Sequence, residues 1–322
     1  MAATDFGAKH ILAAAERIRP YVKNTPIFTS ENLNALGKCR LFFKAEHLQK
    51  TGSFKARGAC NAVQILVENG QTSGVVTHSS GNHGQGLSYA AKAAGIPCTV
   101  VVPKNAPPSK LEGMRAYGAE IVLCEPTMKS RVETSNKVAK DLNRTIVPPF
   151  DDHIIMAGQG TIAVEMLEQL PELDAVFLAV GGGGLASGVA AYIKQTKPEI
   201  AVYLVEPEGK GLQRYLDGGH LREDIDSLNT VADGIRVLRV GDGPFPVLQR
   251  YCRESIISVT EEQIKEAVTL IWTRLKQRVE PTAGVPLAGL LKMARSEGFK
   301  LQDKNVAIIL CGGNCDVDFL PV

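Results

Sequence analysis

AVFLAVGGGGLASGVAAYIK, residues 175–194, is the stretch that decides the fold of this chain. It opens with six apolar residues, passes through four consecutive glycines at 181–184, and continues with helix-forming residues. A short apolar run followed by a helix is the repeating unit of parallel sheets. We therefore predict a buried strand over 175–180, a tight glycine loop, and a helix over 185–194.

The same alternation of strand and helix recurs on both sides of this stretch. Further strands are predicted over residues 74–77, 99–102, 120–123, 202–205 and 306–310. Thr260 and Gln263 have the spacing of a capping box and predict a helix through Ile264 and Leu275. The sequence thus predicts an α/β fold with parallel sheets in two units.

Composition narrows the class of protein. The 322 residues suffice for two domains, and their 44% apolar and 22% charged content is that of a globular chain. Basic and acidic residues number 36 and 34, which disfavours binding to nucleic acid or to an acidic membrane surface. The seven cysteines form no C-x-x-C pair, and no leader or membrane-spanning run precedes the fold, so we expect a cytoplasmic protein with a small-molecule partner.

Three polar, glycine-rich segments follow predicted strands, at residues 77–84, 181–184 and 311–314. In open parallel sheets, ligands bind beyond the carboxyl ends of the strands. Four glycines before a helix would surround a phosphate with backbone N–H groups. Two alternatives remain: a merely flexible turn, or a nicotinamide-dependent oxidoreductase, because Gly181-x-Gly183-x-x-Ala186 followed by Glu206 also satisfies a dinucleotide fingerprint.

Lys55, in the segment KTGSFKARG at 50–58, favours a different cofactor. It lies among small and aromatic residues at the predicted start of a helix, where burial and the helix dipole would lower the pKa of its amine. The alternative is an ordinary solvated lysine. A nucleophilic lysine together with a phosphate site indicates pyridoxal phosphate, whose aldehyde forms a Schiff base with lysine.

Several motifs, in order along the chain, resemble those of the fold-type II pyridoxal-phosphate enzymes, whose fold is like that of the tryptophan synthase β subunit. They lie at 53–58, 79–85, 157–161, 181–184, 232–234, 280–284 and 312–314. Within that family the chain is most similar to serine racemases and to serine/threonine dehydratases. The resemblance implies two open parallel-sheet domains with the cofactor between them: a large domain of residues 1–73 and 152–322, and a small mobile domain of residues 74–151. It also implies a homodimer.

The resemblance assigns roles to individual residues. Lys55 would carry the cofactor and act as the base on one face of the substrate, and Ser80 would act on the other face. The expected cofactor-binding residues are Phe54, Lys55, Asn82, Gly181, Gly182, Gly183, Gly184, Leu185, Gly234 and Cys311. The expected substrate-binding residues are Ser79, Ser80, Asn82, His83 and Arg131.

The activity implied is interconversion of L- and D-serine with side elimination of serine to pyruvate and ammonia. The alternative is an L-serine/L-threonine ammonia-lyase with little racemisation, and threonine or aspartate are further candidate substrates. Ser80 has a structural alternative as a helix cap, Cys311 as a small buried apolar residue, and Arg131 as a solvated charge. Cys311, expected to face the pyridine nitrogen, is more typical of dehydratases than of racemases.

Two regulatory sites of the family are only partly matched. Glu206 matches the first carboxylate of a divalent-cation site, but Leu212 stands where an acid is expected and Lys210 lies between them. We therefore predict no strong Mg²⁺ or Ca²⁺ site, with an ammonium as a replacement for the ion. The positions that match an activating ATP site at the subunit interface are Lys50, Thr51, Gln85, Lys110, Tyr117 and Glu280, whereas Phe150 replaces a polar residue there.

Overall fold

The computed structural model describes residues 6–106, 108–219, 227–316 and 319, which form two sheets with helices packed against them. The helices are α1 (Ala8–Ile18), α2 (Glu31–Gly37), α3 (Lys55–Glu68), α4 (Asn82–Ala94), α5 (Pro108–Ala116), α6 (Met128–Asp141), α7 (His153–Gln169), α8 (Gly184–Thr196), α9 (Leu212–Leu216), α10 (Pro244–Cys252), α11 (Glu261–Leu270) and α12 (Pro281–Ala294). The strands are β1 (Ile27–Phe28), β2 (Arg40–Lys44), β3 (Val75–His78), β4 (Cys98–Pro103), β5 (Glu120–Cys124), β6 (Thr145–Ile146), β7 (Ala175–Ala179), β8 (Ala201–Pro207), β9 (Ile256–Val259) and β10 (Asn305–Ile309).

The larger sheet has the strand order β1-β2-β10-β7-β8-β9. Only β1 pairs antiparallel to its neighbour; the other described pairs are parallel. All five residues of β7 are buried, as expected for a central strand covered by helices on both faces. Phe43, Phe177 and Ile308 are fully buried on adjacent strands and belong to one apolar core.

The smaller sheet has the order β5-β4-β3-β6, and its described strand pairs are all parallel. Its core includes Val75, Val100, Leu87 and Met114, contributed by the sheet and by the helices α4 and α5. The strands of this sheet come from one continuous part of the chain, between residues 75 and 146, whereas the larger sheet is built from residues on both sides of it.

The α/β prediction with parallel sheets is confirmed, and so is the capping box between Thr260 and Gln263. The predicted strands are present within one or two residues of their expected ends. The strands β1, β2, β6 and β9 were not predicted, because each has only two to five residues and none stands between clear turn signals. Within the described ranges, none of the helices has both the length and the apolar character that a bilayer span requires.

Candidate active site

The three glycine-rich segments lie at the carboxyl ends of β3, β7 and β10, and two of them are joined by a direct hydrogen bond. Asn314, after β10, donates through Nδ2 to Oδ1 of Asn82 at 2.8 Å. Gly313 donates to the carbonyl of Gly52 at 2.9 Å, and Phe54 donates to that of Cys311 at 3.1 Å. The segment that carries Lys55 is therefore held against the end of β10 and beside the start of α4.

Lys55 is the first residue of α3. Its Nζ donates to the carbonyl oxygen of Pro149 at 2.6 Å and lies 5.2 Å from the centroid of the Phe54 ring. Burial lowers the pKa of the Lys55 amine to about 8, and electrostatic interaction with Cys311 and Glu280 opposes this shift. A larger share of the amine is consequently neutral, and nucleophilic, near neutral pH than for an exposed lysine.

Gly181–Gly184 connect β7 to α8 and pass close to neighbouring side chains. A Cβ atom on Gly182 would lie 2.3 Å from ring atoms of Phe150, and one on Gly181 would lie 2.9 Å from Ile235 Cγ2. Gly183, with φ +93°, is the N-cap of α8 and adopts the left-handed conformation that favours glycine. The N–H groups of the first turn, including that of the buried Leu185, have no acceptor within the helix and are available to an anion.

Asn82, the first residue of α4, lies against a buried carboxylate. Its Nδ2 is 3.0 Å from both carboxylate oxygens of Glu280. Burial raises the pKa of Glu280 to about 7, and the hydrogen bond from Asn82 opposes this shift. Gly234 also lies near this carboxylate, since a Cβ atom there would be 3.5 Å from Glu280 Oε1. The position of Glu280 in the middle of the site, rather than at its edge, was not evident from its motif.

The loop between β3 and α4 contains the two serines of the site. Gly81 is the N-cap of α4 and, as a glycine, makes no side-chain cap hydrogen bond. Ser79 Oγ accepts a hydrogen bond from the N–H of Gly81 at 3.3 Å. The structural alternative for Ser80, that it caps α4, is therefore wrong, and its hydroxyl is left for another role.

His83, in the first turn of α4, is a neutral imidazole. Its Nε2 is 3.1 Å from the carbonyl oxygen of Val147, which makes Nε2 the donor and leaves Nδ1 unprotonated. Burial and the positive charge of Lys55 lower the pKa of His83 to about 3. A neutral ring whose N–H is already used has no N–H left to donate to a carboxylate, so at His83 only the backbone N–H would be able to bind one.

Comparison with known proteins decides the family. A family model described as pyridoxal-phosphate dependent enzyme matches residues 18–312. The chain belongs to this family. This membership contradicts the nicotinamide-dependent oxidoreductase alternative, which is therefore wrong. Glu206 instead accepts hydrogen bonds from Ser258 Oγ at 3.0 Å and from the N–H of Leu212.

Relatives with different activities cover nearly the whole chain. Serine racemase of Dictyostelium discoideum is 42% identical over 96% of this chain and 95% of its own. β-Hydroxyaspartate dehydratase of Paracoccus denitrificans (strain Pd 1222) is 43% identical over 97% of each. Among solved structures, a pyridoxal 5′-phosphate-dependent aspartate racemase has a TM-score of 0.92 and 42% identity over 98% of both chains. A T.th. threonine deaminase has a TM-score of 0.89 and 41% identity, over 97% of this chain and 100% of its own.

The residues of this pyridoxal-phosphate enzyme fit the cofactor. Gly181–Gly184 pass so close to Phe150, Ile235 and Pro244 that Cβ atoms would not fit, and the first N–H groups of α8 have no acceptor within the helix and can bind a phosphate. Lys55 supplies a buried amine. Burial raises the pKa of the Cys311 thiol well above its usual value, so this residue is a neutral neighbour at the end of β10, the strand beside β7.

The residues predicted to bind a nucleotide divide into two groups. Lys50 Nζ lies 6.0 Å from the centroid of the Tyr89 ring, and that ring packs edge-on against Tyr117 at 5.6 Å. Gln85 contacts Gly113 nearby on the same side. Lys110 forms an ion pair of 2.8 Å with Asp233, on the side of Glu280. The carbonyl of Thr51, a residue with φ +61°, accepts from Asn314 at 2.7 Å.

Arg131, on α6, lies close to the end of β3. Burial and the positive charge of Arg131 lower the pKa of His78, the last residue of that strand. The Nε atom of Arg131 is buried and has no hydrogen-bond partner within the described part of the chain. A fully solvated arginine would have water at that atom, so its position favours a role at the site over the solvated alternative.

Proposed function

We propose that the protein is a pyridoxal-phosphate dependent serine racemase that also eliminates serine to pyruvate and ammonia. The observation that carries the proposal is Ser80: its hydroxyl takes no part in capping α4, and it lies in the loop after β3, between Ser79 and Gly81 and two residues before Asn82. The near full-length similarity to serine racemases supports the same activity.

Racemisation requires proton transfer on both faces of the substrate α-carbon. When bound, pyridoxal phosphate supplies an electron sink that acidifies the C–H bond of that carbon. Lys55, with its lowered pKa, removes the α-proton on one face as the neutral amine. Ser80 holds the proton that is delivered on the opposite face. Asn82 and the backbone N–H groups at the start of α4 orient the substrate carboxylate, aided by the helix dipole.

Elimination uses the same first proton transfer. After Lys55 has removed the α-proton, loss of the β-hydroxyl as water and subsequent hydrolysis convert one serine to one pyruvate and one ammonia. The neutral thiol proposed to face the pyridine nitrogen, Cys311, limits the electron sink there. Among the family's reactions, this limit disfavours transamination.

A second candidate is an ammonia-lyase with little racemisation. Its support is Cys311 and the similarity to the threonine deaminase and to the β-hydroxyaspartate dehydratase. Under this candidate Ser80 has no part in proton transfer. We propose serine as the preferred substrate, with threonine and aspartate as weaker ones.

The two candidates are distinguished by replacing Ser80 with alanine. For Ser80→Ala, we expect D-serine formation from L-serine to fall roughly 100-fold or more, the usual contribution of a general acid or base, while pyruvate formation persists. Chiral chromatography and a pyruvate assay measure the two products. Ser79→Ala is the matched control, because weaker carboxylate binding lowers both products together. Undiminished D-serine formation in Ser80→Ala would exclude the two-base assignment.

We infer the remaining features from the family and the contacts of the site. The small domain, residues 74–151, closes on the large domain of residues 1–73 and 152–322, and Arg131 meets a substrate carboxylate on closure. The Lys110–Asp233 ion pair joins these two parts of the chain.

The enzyme is a cytoplasmic homodimer, and ATP binds near Lys50 and Tyr117 as an activator. Isothermal titration with Mg-ATP tests the last point, and an absence of heat counts against it.

A further inference from the structure

The carboxylate expected to bind a divalent cation has a different environment in this chain. Glu206 is 1% exposed, at the end of β8. Its oxygens accept hydrogen bonds from Ser258 Oγ at 3.0 Å and from the N–H of Leu212 at 3.2 and 3.3 Å. Within the described ranges, no group of three histidine, cysteine or acidic side chains is arranged to hold a metal ion. The residues around Glu206 therefore do not fit a divalent cation.

A buried lysine nevertheless follows this carboxylate closely in the chain. Lys210 lies four residues after Glu206 and is only 2% exposed. Burial raises the pKa of Glu206 and lowers that of Lys210 to about 8, and the attraction between the two groups opposes both shifts. A buried carboxylate without a compensating charge would be strongly unfavourable, so the ammonium supplies the charge that an ion would otherwise bring.

Lys210 also contacts the segment that packs against the glycine loop. Its Nζ donates a hydrogen bond to the carbonyl oxygen of Val237. Two residues before Val237, Ile235 packs against Gly181, where a Cβ atom would approach within 2.9 Å of Cγ2. Further along, Gly241 donates to the carbonyl of Gly182 at 2.9 Å. Lys210 thus fixes residues 235–241, the segment that packs against Gly181 and hydrogen-bonds Gly182 in the phosphate cradle.

We propose that Lys210 is a built-in cation, which neutralises Glu206 in place of a metal ion and fixes the segment behind Gly181–Gly184. Cofactor retention in this protein is therefore independent of divalent cations. The inference does not depend on which amino acid the enzyme converts, because it concerns the binding of pyridoxal phosphate and the stability of the fold.

The first experiment follows thermal unfolding and cofactor retention of the holoenzyme in EDTA and in Mg²⁺ or Ca²⁺. We expect the melting temperature and the dissociation constant of pyridoxal phosphate to be the same in all three conditions. A protein that loses cofactor in EDTA and regains it with Mg²⁺ or Ca²⁺ would overturn the proposal.

The second experiment removes the ammonium and keeps most of the side-chain volume, as Lys210→Met. We expect a lower melting temperature and a cofactor dissociation constant raised about ten- to hundredfold, the usual cost of losing a group that positions a binding site. Lys197→Met is the matched control, because Lys197 Nζ also donates to a carbonyl, that of Pro171 at 2.6 Å, but on the surface. Equal cofactor affinity in both variants would overturn the proposal.

A double variant tests the charge argument and also covers the case in which Lys210→Met does not fold. In Lys210→Met/Glu206→Gln, the buried carboxylate is replaced by a neutral amide. We expect this double variant to be more stable than Lys210→Met alone, because no uncompensated charge remains. If the double variant is as unstable as the single one, or equally unfolded, Lys210 does not act as the cation of Glu206.

Discussion

The contact between Gly182 and Phe150 gives a quantitative test of the phosphate cradle. A Cβ atom at position 182 would lie 2.3 to 2.4 Å from three ring atoms of Phe150, whereas ordinary contacts begin at 3.4 Å. In Gly182→Ala, the loop or the ring must therefore shift by about 1 Å. Overpacking of this kind costs about 1–3 kcal/mol, and if the loop bears that cost, pyridoxal phosphate binds roughly 5- to 150-fold more weakly.

Titration of the apoenzyme with pyridoxal phosphate, followed by absorbance, measures this loss. Gly243→Ala is the matched control: its Cβ would meet only Asp151 Oδ1 at 3.3 Å and otherwise keep ordinary distances. Phe150→Leu in the Gly182→Ala background should recover part of the affinity, because a smaller side chain relieves the overlap. The reasoning is refuted if Gly182→Ala binds the cofactor as tightly as the parent, or if shortening Phe150 makes its binding weaker still.

Two further predictions concern buried charges. The pKa of Glu280 is about 7 in the folded protein and about 4.5 in the unfolded chain, so the folded protein binds the proton more tightly. The free energy of unfolding therefore falls by about 3 kcal/mol as the pH rises from 4.5 to 7. Urea unfolding of Glu280→Gln across that range should lack this decline; an unchanged slope would contradict it. Arg57→Leu should cost about 3–5 kcal/mol by leaving Glu46 buried without its cation, whereas the exposed Arg19→Leu should cost less than about 1 kcal/mol. Similar losses in the two arginine variants would contradict the burial argument.

Most of the structural elements that were predicted correctly depend on local patterns in the sequence. The helix that begins at Lys55, the glycine loop before α8 and the capping box at Thr260 each depend on residues within a few positions of one another, and each is present. The strands of β7 and β10 were predictable because apolar runs identify buried parallel strands. Composition and periodicity thus sufficed for the fold class.

Contacts between distant segments could not be predicted in this way. The acceptor for Lys55 Nζ is a backbone carbonyl 94 residues away, and any residue type at position 149 would offer one. Glu280 meets Asn82 across 198 residues, and its motif gave no sign of that partner. The N-cap of α4 could not be predicted either. Ser80 and Gly81 are both residue types found at N-caps, and only the geometry of the turn shows that Gly81 is the N-cap.

The placement of β10 has a consequence for how the protein is made. This strand, residues 305–309, lies between β2 and β7 in the larger sheet, although it is the last strand to be synthesised among those described. The smaller sheet uses only residues 75–146, so it can form while translation continues. The larger sheet stays divided, with open edges on β2 and β7, until β10 has been synthesised and has left the ribosome. A ribosome that stalls shortly before residue 305 therefore yields an aggregation-prone chain, not a partly active enzyme.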